Sequence, residues 1–223
     1  MIGVSEFMFL LLIGICIGFI YIVHKFFGKS EFYLLGIIYT IISFLMSFKL
    51  INVFGMDINP SIIFTSGLFM IIYYFVNRYD IKECKKFILL IFVSSIASNL
   101  MLLSTAFMIP SIYDNSSNLY SNLVFDNLVI FILSPTAMVI TSCLSGYSFN
   151  ELKGEYKKNI RNVITIIGIM FIYNFIFIYF SYAFLIRFDN ALLIAVENYF
   201  VSSIIMIIYM FIINKIFSVK KVK

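Results

Sequence analysis

Polar side chains embedded in long apolar stretches are the residues of this chain with the clearest potential for chemistry. Their hydroxyl and amide groups donate and accept hydrogen bonds without carrying charge. Tyr73 and Asn77 are four residues apart and therefore share one face of a helix. With Tyr and Phe rings as stacking surfaces, the set predicts a site for a neutral, planar solute that forms hydrogen bonds. The candidate solute-binding residues are Tyr73, Asn77, Ser142, Ser145, Tyr173 and Asn174.

Glu197 is the acidic residue that lies deepest in an apolar stretch. It stands about two helical turns into the last stretch, a depth of roughly 9–10 Å at 1.5 Å per residue. Ionisable groups inside a membrane mark functional sites by default, which makes Glu197 a proton-coupling candidate. The alternative is that the last helix starts later and that Glu197 lies among the lipid headgroups. For the neutral residues, the alternatives are hydrogen bonding between helices and, for Tyr73 and Asn77, an aromatic belt at the membrane surface.

The sequence lacks the residue patterns that catalysis or metal binding would need. It has no paired nucleophile and histidine, no HExxH motif and no glycine-rich phosphate loop. Cys16, Cys84 and Cys143 are isolated, and the single histidine, His24, has no intramembrane carboxylate with which to pair. These observations predict a protein that is not an enzyme and that uses no metal, disulfide or other cofactor.

The composition predicts that lipid covers most of the chain. Of its 223 residues, 62% are hydrophobic and 12% are charged, and the mean hydropathy is +1.05. Globular domains are about half apolar and about a quarter charged. Because backbone polar groups in lipid must bond within their own segment, the continuous apolar stretches are expected to be helices. Residues 1–223 are therefore expected to form a single all-α transmembrane domain.

Seven apolar stretches have about the length of a transmembrane helix, which is roughly 20 residues. Turn residues separate them, as in the loop that contains Gly55, Asp57 and Pro60. We expect a bundle of about seven helices, with spans near Phe7–Val23, Glu31–Leu50, Ser61–Val76, Phe87–Ile109, Leu123–Tyr147, Asn162–Ile186 and Ala191–Phe217.

The basic residues predict how this bundle is threaded through the membrane. If the N-terminus lies outside, all of the 16 Lys and Arg residues except Lys49 and Arg187 fall on the cytoplasmic side. Basic loops are retained in the cytoplasm, so this orientation is expected and the C-terminus is cytoplasmic. The net charge of +5 then reflects these loops rather than a nucleic-acid surface. The expected location is the inner membrane of a bacterial cell.

The segment Phe69–Lys86 resembles the signature of the queuosine precursor transporter family, also called the vitamin uptake transporter family. Lys25–Lys29 and Lys49–Gly55 resemble the opening of family members from Gram-positive bacteria, and Phe149–Lys153 resembles part of the second half. The resemblance covers most of the chain. It implies a six-helix core with an extra N-terminal span, and import of a queuosine precursor, which is a 7-deazaguanine-type base, or of a similar purine-like or vitamin-like compound.

The chain departs from this family at most of the charged positions within the membrane. A family Asp in the third span corresponds to Tyr73, and the Glu that follows corresponds to Asn77. The resemblance therefore implies the fold more firmly than the solute. Two hypotheses follow: a transporter of a small polar solute, or a degenerate member that acts as a non-transporting membrane partner or scaffold subunit, as a homo-oligomer or with another membrane protein. In the fifth span, the family's Gln and Asp correspond to Ser142 and Ser145. A family Asp in the sixth span falls near Tyr173, and a family Lys in the seventh falls near Ser202.

Overall fold

The described part of the chain is almost entirely helical. A computed structural model describes residues 3–27, 30–108, 122, 124–125, 127–152 and 158–218, without the side chains of residues 158–160, 214 and 217–218. Residues 111–121 of the predicted outer loop and the loop residues Lys153 and Lys157 lie outside this description. The helices are α1 (Val4–Phe27), α2 (Glu31–Met46), α3 (Ser61–Arg78), α4 (Ile81–Phe107), α5 (Leu128–Glu151), α6 (Lys158–Tyr173), α7 (Phe180–Ala183) and α8 (Phe188–Ser218).

Six helical segments of the described chain are long and apolar enough to cross a membrane. Their mean hydropathies range from 1.3 to 2.5. The predicted helical class is confirmed, and the fold is compatible with a multi-pass membrane bundle. The six segments are Val4–Phe27, Ser61–Arg78, Ile81–Phe107, Leu128–Glu151, Arg161–Ala183 and Phe188–Ile213.

α2 is shorter than the span predicted for it. Its 16 residues end at Met46 rather than at Leu50. They extend about 24 Å at 1.5 Å per residue, which is less than the roughly 30 Å of a bilayer core. The chain turns at Ser47, whose hydroxyl donates to the carbonyl oxygen of Phe44 at 2.6 Å. By length and apolar composition, six described segments qualify as crossings, and a seventh remains a prediction.

A small β-hairpin follows α2, where the sequence predicted only a loop. Strands β1 (Ile51–Val53) and β2 (Met56–Ile58) pair antiparallel. The two turn residues, Phe54 and Gly55, have φ angles of 53° and 77°. Positive φ at both central positions is typical of a type I′ turn, which matches the twist of the paired strands. Glycine adopts this conformation readily, whereas a residue with a bulky side chain is strained there.

α3 is the central helix and is enclosed by other helices. Every residue from Ser61 to Val76 is buried, which is 89% of the helix. In the other membrane-length segments, 28–44% of the 18 most apolar consecutive residues are buried. α3 packs against α1, α2, α5 and α8. Because protein rather than lipid surrounds α3, polar side chains on it can find partners on neighbouring helices. Its mean hydropathy of 1.3 is accordingly the lowest of the six segments.

The predicted sixth span changes its helical pitch near the middle. α6 continues directly into a π-helical segment, Asn174–Tyr179, and then into α7. The sequence predicted one uninterrupted span over Asn162–Ile186. π-helical turns are rare in proteins and are frequent at functional sites. The change of pitch therefore draws attention to the residues on either side of the junction between Tyr173 and Asn174.

An ion cluster, consisting of the buried residues His24 and Glu31 and the exposed Arg78, joins the ends of α1, α2 and α3. Glu31 is 2% exposed; its Oε2 lies 2.6 Å from His24 Nδ1 and its Oε1 lies 3.5 Å from Arg78 Nη1. The cluster and the hairpin lie at opposite ends of α1, since Glu6 Oε1 accepts a hydrogen bond from the Phe54 amide at 3.3 Å. The sequence alone gave His24 no carboxylate partner; the fold supplies one because the end of α1 lies beside the start of α2.

Candidate functional site

Most of the predicted site residues lie in the protein interior. Asn77 and Glu197 are partly exposed, and the other five are buried. The structure does not join all of them through one set of contacts; they fall into separate groups on α3, on α5, at the junction of α6 with the π-helical segment, and on α8. The buried five are Tyr73, Ser142, Ser145, Tyr173 and Asn174.

Tyr73 and Asn77 form one group near the C-terminal end of α3. The Asn77 side-chain amide donates to the Tyr73 carbonyl oxygen at 2.8 Å, so these two residues do share a helix face. The Tyr73 hydroxyl accepts a hydrogen bond from Asn162 Nδ2 at 3.0 Å. Its ring packs edge-on against Phe149, with 5.1 Å between the ring centroids. The side-chain oxygens of Asn77 and Asn162 have no hydrogen-bond partner among the described residues, so this group keeps two open acceptors.

Tyr173 and Asn174 form a second group, where α6 passes into the π-helical segment. The Asn174 amide donates to the Met170 carbonyl oxygen at 2.8 Å and to Ser202 Oγ on α8 at 3.0 Å. The Tyr173 ring packs edge-on against Phe69 of α3, with 5.7 Å between the ring centroids. These contacts connect the change of helical pitch to both α3 and α8.

Four hydroxyl groups from three helices lie close together, one of them the hydroxyl of Tyr173. We call this set the hydroxyl cluster: Ser43 of α2, Ser61 and Thr65 of α3, and Tyr173. Ser43 Oγ and Thr65 Oγ1 both donate to the Ser61 carbonyl oxygen, at 3.5 and 2.6 Å. The hydroxyls of Ser61 and Tyr173 lie close to their neighbours but make no hydrogen bond of acceptable geometry with any described atom. The buried cluster can therefore both donate and accept hydrogen bonds.

Further buried polar atoms near these groups also have no partner in the described chain. They include Asn174 Oδ1, Ser66 Oγ and Ser181 Oγ. A buried polar group without a partner costs about 1–3 kcal/mol. Native proteins contain only a few of them, and each calls for an explanation. A small, half-open pocket of about 60 Å³, lined mostly by apolar side chains, adjoins Asn174.

Asn59 connects the β-hairpin to the hydroxyl cluster. It is fully buried. Its Nδ2 donates to the Ser47 carbonyl oxygen at 2.8 Å and to the Tyr182 hydroxyl at 3.2 Å. Its Oδ1 accepts a hydrogen bond from the Ser61 backbone N–H at 3.0 Å. The segment between the hairpin and α3 is thus fixed directly beside the cluster, and the hairpin lies over that end of the bundle.

Glu197 and Asn198 of α8 fasten the hairpin to the bundle, and we call this pair the latch. Glu197 Oε2 accepts a hydrogen bond from the Asp57 backbone N–H at 2.8 Å. Asn198 Oδ1 accepts one from the Asn59 backbone N–H at 2.8 Å, and its Nδ2 donates to the Asp57 carbonyl oxygen at 2.9 Å. Glu197 therefore contacts the hairpin backbone, and no described hydrogen bond links it to a predicted solute-binding residue.

Ser142 and Ser145 form a third group on α5, which packs against α3. Ser145 Oγ donates to the Thr141 carbonyl oxygen at 2.6 Å, within its own helix. Ser142 Oγ has no partner among the described atoms. Both are buried polar residues, as predicted for a site, but no described hydrogen bond joins either of them to Tyr73 or Tyr173.

Two of the polar groups lie at different depths along α3. Tyr73 follows Thr65 and Ser61 by eight and twelve residues. At 1.5 Å per residue these separations are about 12 and 18 Å. The hydroxyl cluster is on the hairpin side of α3, and the Tyr73 group is on the side of the ion cluster. The two groups make α3 polar at two levels within an otherwise apolar core.

Several residues of these groups were missed by the sequence analysis. Ser61 and Thr65 gave a usable signal, since they are four residues apart at the start of the least apolar span. Asn162 and Ser43 gave no usable signal in the sequence. Asn162 stands at a predicted helix boundary, and the contacts of both residues depend on how distant helices pack.

The described residues contain no group of three or more His, Cys, Asp or Glu side chains that could hold a metal ion. No family model, curated protein or solved structure matches this chain. The resemblance to queuosine precursor transporters therefore stays a prediction, and the function must be argued from the residues themselves.

Proposed function

We propose that this chain is a membrane transporter that imports a small, uncharged polar solute. The observation that carries the proposal is the hydroxyl cluster, which holds unpaired hydrogen-bonding groups inside a bundle of membrane-length helices. Polar groups at such positions are expensive and tend to be functional. A solute that supplied the missing donors and acceptors would remove the cost of leaving these groups unpaired.

The expected solute is flat and carries both donors and acceptors. The rings of Phe69 and Phe177 lie 5.7 and 5.5 Å from the ring of Tyr173, and they offer stacking surfaces beside the hydroxyls. The hydroxyl cluster itself contains no charged group, which favours a neutral ligand. The resemblance to queuosine precursor transporters favours a 7-deazaguanine-type base, or a similar purine-like or vitamin-like compound.

In this proposal the chain crosses the bacterial inner membrane seven times, with its N-terminus outside. α2 makes a short second crossing, and the hairpin completes it at the outer surface. The basic segment with Lys82, Lys85 and Lys86 then faces the cytoplasm, as basic loops do. The latch is on the outer side and the ion cluster is near the inner side.

Alternating access would connect the two levels of polar residues along α3. Opening of the latch would expose the hydroxyl cluster to the outside, and rearrangement of the ion cluster would open the Tyr73 group to the cytoplasm. Glu197 is the proton-coupling candidate in this scheme. Protonation would remove the charge that strengthens its hydrogen bond to the Asp57 amide, and the latch would weaken.

Ligand binding by the purified full-length chain tests this proposal. The probes are 7-deazaguanine-type bases, purines and water-soluble vitamins, each added before thermal unfolding. A ligand at a hundredfold excess over its Kd stabilises the folded state by about 2.7 kcal/mol. Tyr173→Phe is expected to weaken binding about tenfold, which lowers the stabilisation at the same ligand concentration to about 1.4 kcal/mol. Tyr209→Phe is the matched control, because it removes another buried hydroxyl without a described partner, beside Cys16. A ligand that stabilised Tyr173→Phe as strongly as the parent chain would remove the proposed site.

A non-transporting membrane partner is the second candidate function. The observation that favours it is the neutrality of Tyr73, Asn77 and Tyr173 at positions where the resembled family carries charge. In that case the chain would purify with a stoichiometric membrane partner, and the isolated chain would bind none of the probe solutes.

A further inference from the structure

A groove runs along the outer flank of the bundle, between α4 and α5. Its volume is about 410 Å³ and its walls are almost entirely apolar. Gly146 of α5 lets the two helices approach closely, because a Cβ atom there would lie 2.7 Å from Ile88 Cδ1. None of the residues in the polar groups along α3 lines the groove, so it is separate from the proposed solute site. Its lining includes Cys84, Lys85, Phe92, Val139, Cys143 and Tyr147.

The length of the groove matches one leaflet of a membrane. Its α4 wall runs from Ile81 to Phe92, which is about 16 Å at 1.5 Å per residue. Half of a bilayer hydrocarbon core is about 15 Å thick. A single acyl chain of one leaflet would therefore fill the groove from the membrane surface to the bilayer centre.

Positive charge is concentrated at one end of this groove. Lys85 lines it, and Lys82 and Lys86 are exposed on the same first turns of α4. Glu83 offsets part of this charge, since its Oε1 lies 2.6 Å from Lys86 Nζ. The opposite end, at Phe92, is apolar. This polarity is complementary to a lipid whose headgroup is anionic and whose tail is apolar.

We propose that the groove binds one anionic phospholipid, with an acyl chain between α4 and α5 and the headgroup phosphate at the Ile81 end, within reach of the Lys85 side chain. The apolar walls would accept the tail of any phospholipid, so selectivity comes from the lysine end. A lysine near an anionic headgroup contributes about 1 kcal/mol, which corresponds to about fivefold tighter binding of an anionic lipid than of a zwitterionic one. The proposal does not depend on whether the chain transports a solute.

The sequence provides a clean spectroscopic test, because it contains no tryptophan. Phe92→Trp places a single fluorophore in the groove, and the full-length protein is reconstituted with brominated phosphatidylglycerol or brominated phosphatidylcholine as quencher. Quenching is expected to show about fivefold tighter binding of phosphatidylglycerol at this site. Leu89→Trp, also in the groove wall and 59% exposed, is the second probe if Phe92→Trp does not fold.

Two controls make the result specific to the groove. Phe200→Trp, on the exposed flank of α8, is expected to show a binding ratio near one for the two lipids. Adding Lys85→Gln to the Phe92→Trp chain is expected to lower the ratio from about five to near one. Equal quenching by the two lipids at Phe92→Trp, or a fivefold preference that survives Lys85→Gln, would overturn the proposal.

Discussion

At the scale of single residues, the Tyr173 side chain carries a buried hydroxyl that the stability of the fold does not explain. Its hydroxyl is fully buried and has no hydrogen-bond partner of acceptable geometry. A phenylalanine would fill nearly the same space without this cost, so stability alone does not explain the tyrosine. Residues that break a local rule without improving stability are expected at functional sites. The hydroxyl is therefore the part of Tyr173 that the proposed function needs.

Removal of this hydroxyl should not destabilise the protein. Tyr173→Phe is expected to leave the free energy of unfolding unchanged or to raise it by about 1 kcal/mol, because an unpaired buried group disappears. Asn59→Ala is the contrasting variant, since the Asn59 side chain makes three hydrogen bonds in the interior. It should lower the free energy of unfolding by about 2 kcal/mol or more. Denaturant unfolding in detergent measures both values. A loss above about 1 kcal/mol in Tyr173→Phe would mean that its hydroxyl is bonded and structural.

At the scale of elements, the β-hairpin is small but is tied into the bundle from two sides. Three-residue strands are too short to be stable alone. The latch on α8 and Glu6 on α1 supply the additional hydrogen bonds. Opening of the hairpin would break these few hydrogen bonds and would also expose Val53 and Ile58, which pack in the hydrophobic core.

The turn of the hairpin should control how often it opens. Gly55→Ala places a Cβ at φ 77°, which costs about 1–2 kcal/mol, whereas Phe54→Asn puts a residue that tolerates positive φ at φ 53°. Opening is measured as maleimide labelling of Val53→Cys, which is 1% exposed as valine, in a chain whose exposed Cys143 is replaced by serine. Gly55→Ala should speed labelling by about fivefold to thirtyfold, and Phe54→Asn should slow it. Equal rates in all three chains would show that the turn does not limit opening.

The latch should hold the hairpin through Asn198. Asn198→Ala removes two hydrogen bonds to the segment Asp57–Asn59. At about 1 kcal/mol each, their loss should raise the labelling rate of Val53→Cys by about thirtyfold. Ser203→Ala is the control on the same helix, because Ser203 Oγ has no described partner. It should label at the parent rate. If Asn198→Ala also labels at the parent rate, Asn198 does not hold the hairpin closed.

At the scale of the whole molecule, the bundle is built around a helix that lipid does not reach. α3 is enclosed along Ser61–Val76, and both levels of polar residues lie on it. In the other membrane-length segments, only 28–44% of the 18 most apolar consecutive residues are buried. The bundle therefore has an apolar outer surface, which suits contact with lipid. Its interior has two levels of polar residues, which suit contact with a solute.

Composition and continuous apolar stretches were enough to predict the helical class and six membrane-length segments, because both follow from local hydropathy. The early end of α2 at Met46 and the hairpin after it were not predicted, since a three-residue strand leaves almost no signal in a sequence. The enclosure of α3 could have been suspected from its low hydropathy. The pairing of His24 with Glu31 depends on how α1 and α2 pack, so the sequence could not predict it.

The candidate site was predicted only in part, for the same reason. Tyr73 and Asn77 are neighbours along one helix, so their spacing was informative. Tyr173 lies in the interior, and the hydroxyl groups around its own come from α2 and α3, far away in sequence. The depth of Glu197 in an apolar stretch made it a proton-coupling candidate. Its contact with the hairpin could be seen only in the folded structure.

The proposed threading can be checked by labelling single cysteines in intact bacterial cells. In a chain without Cys143, Phe54→Cys in the exposed hairpin turn should react with a membrane-impermeant maleimide from outside. Lys82→Cys, at the exposed start of α4, should react only after the cells are opened. Labelling of Lys82→Cys from outside, or protection of Phe54→Cys, would reverse the orientation.

Uptake by the reconstituted full-length chain tests the central claim, that the hydroxyl cluster carries a neutral solute, most directly. Proteoliposomes should accumulate a labelled 7-deazaguanine-type base in a saturable manner. Tyr173→Phe should lower the initial rate by about tenfold, as expected for one lost hydrogen bond in a desolvated site, and Tyr209→Phe should leave it unchanged. Uptake no faster than in empty liposomes, or an undiminished rate in Tyr173→Phe, would contradict the account.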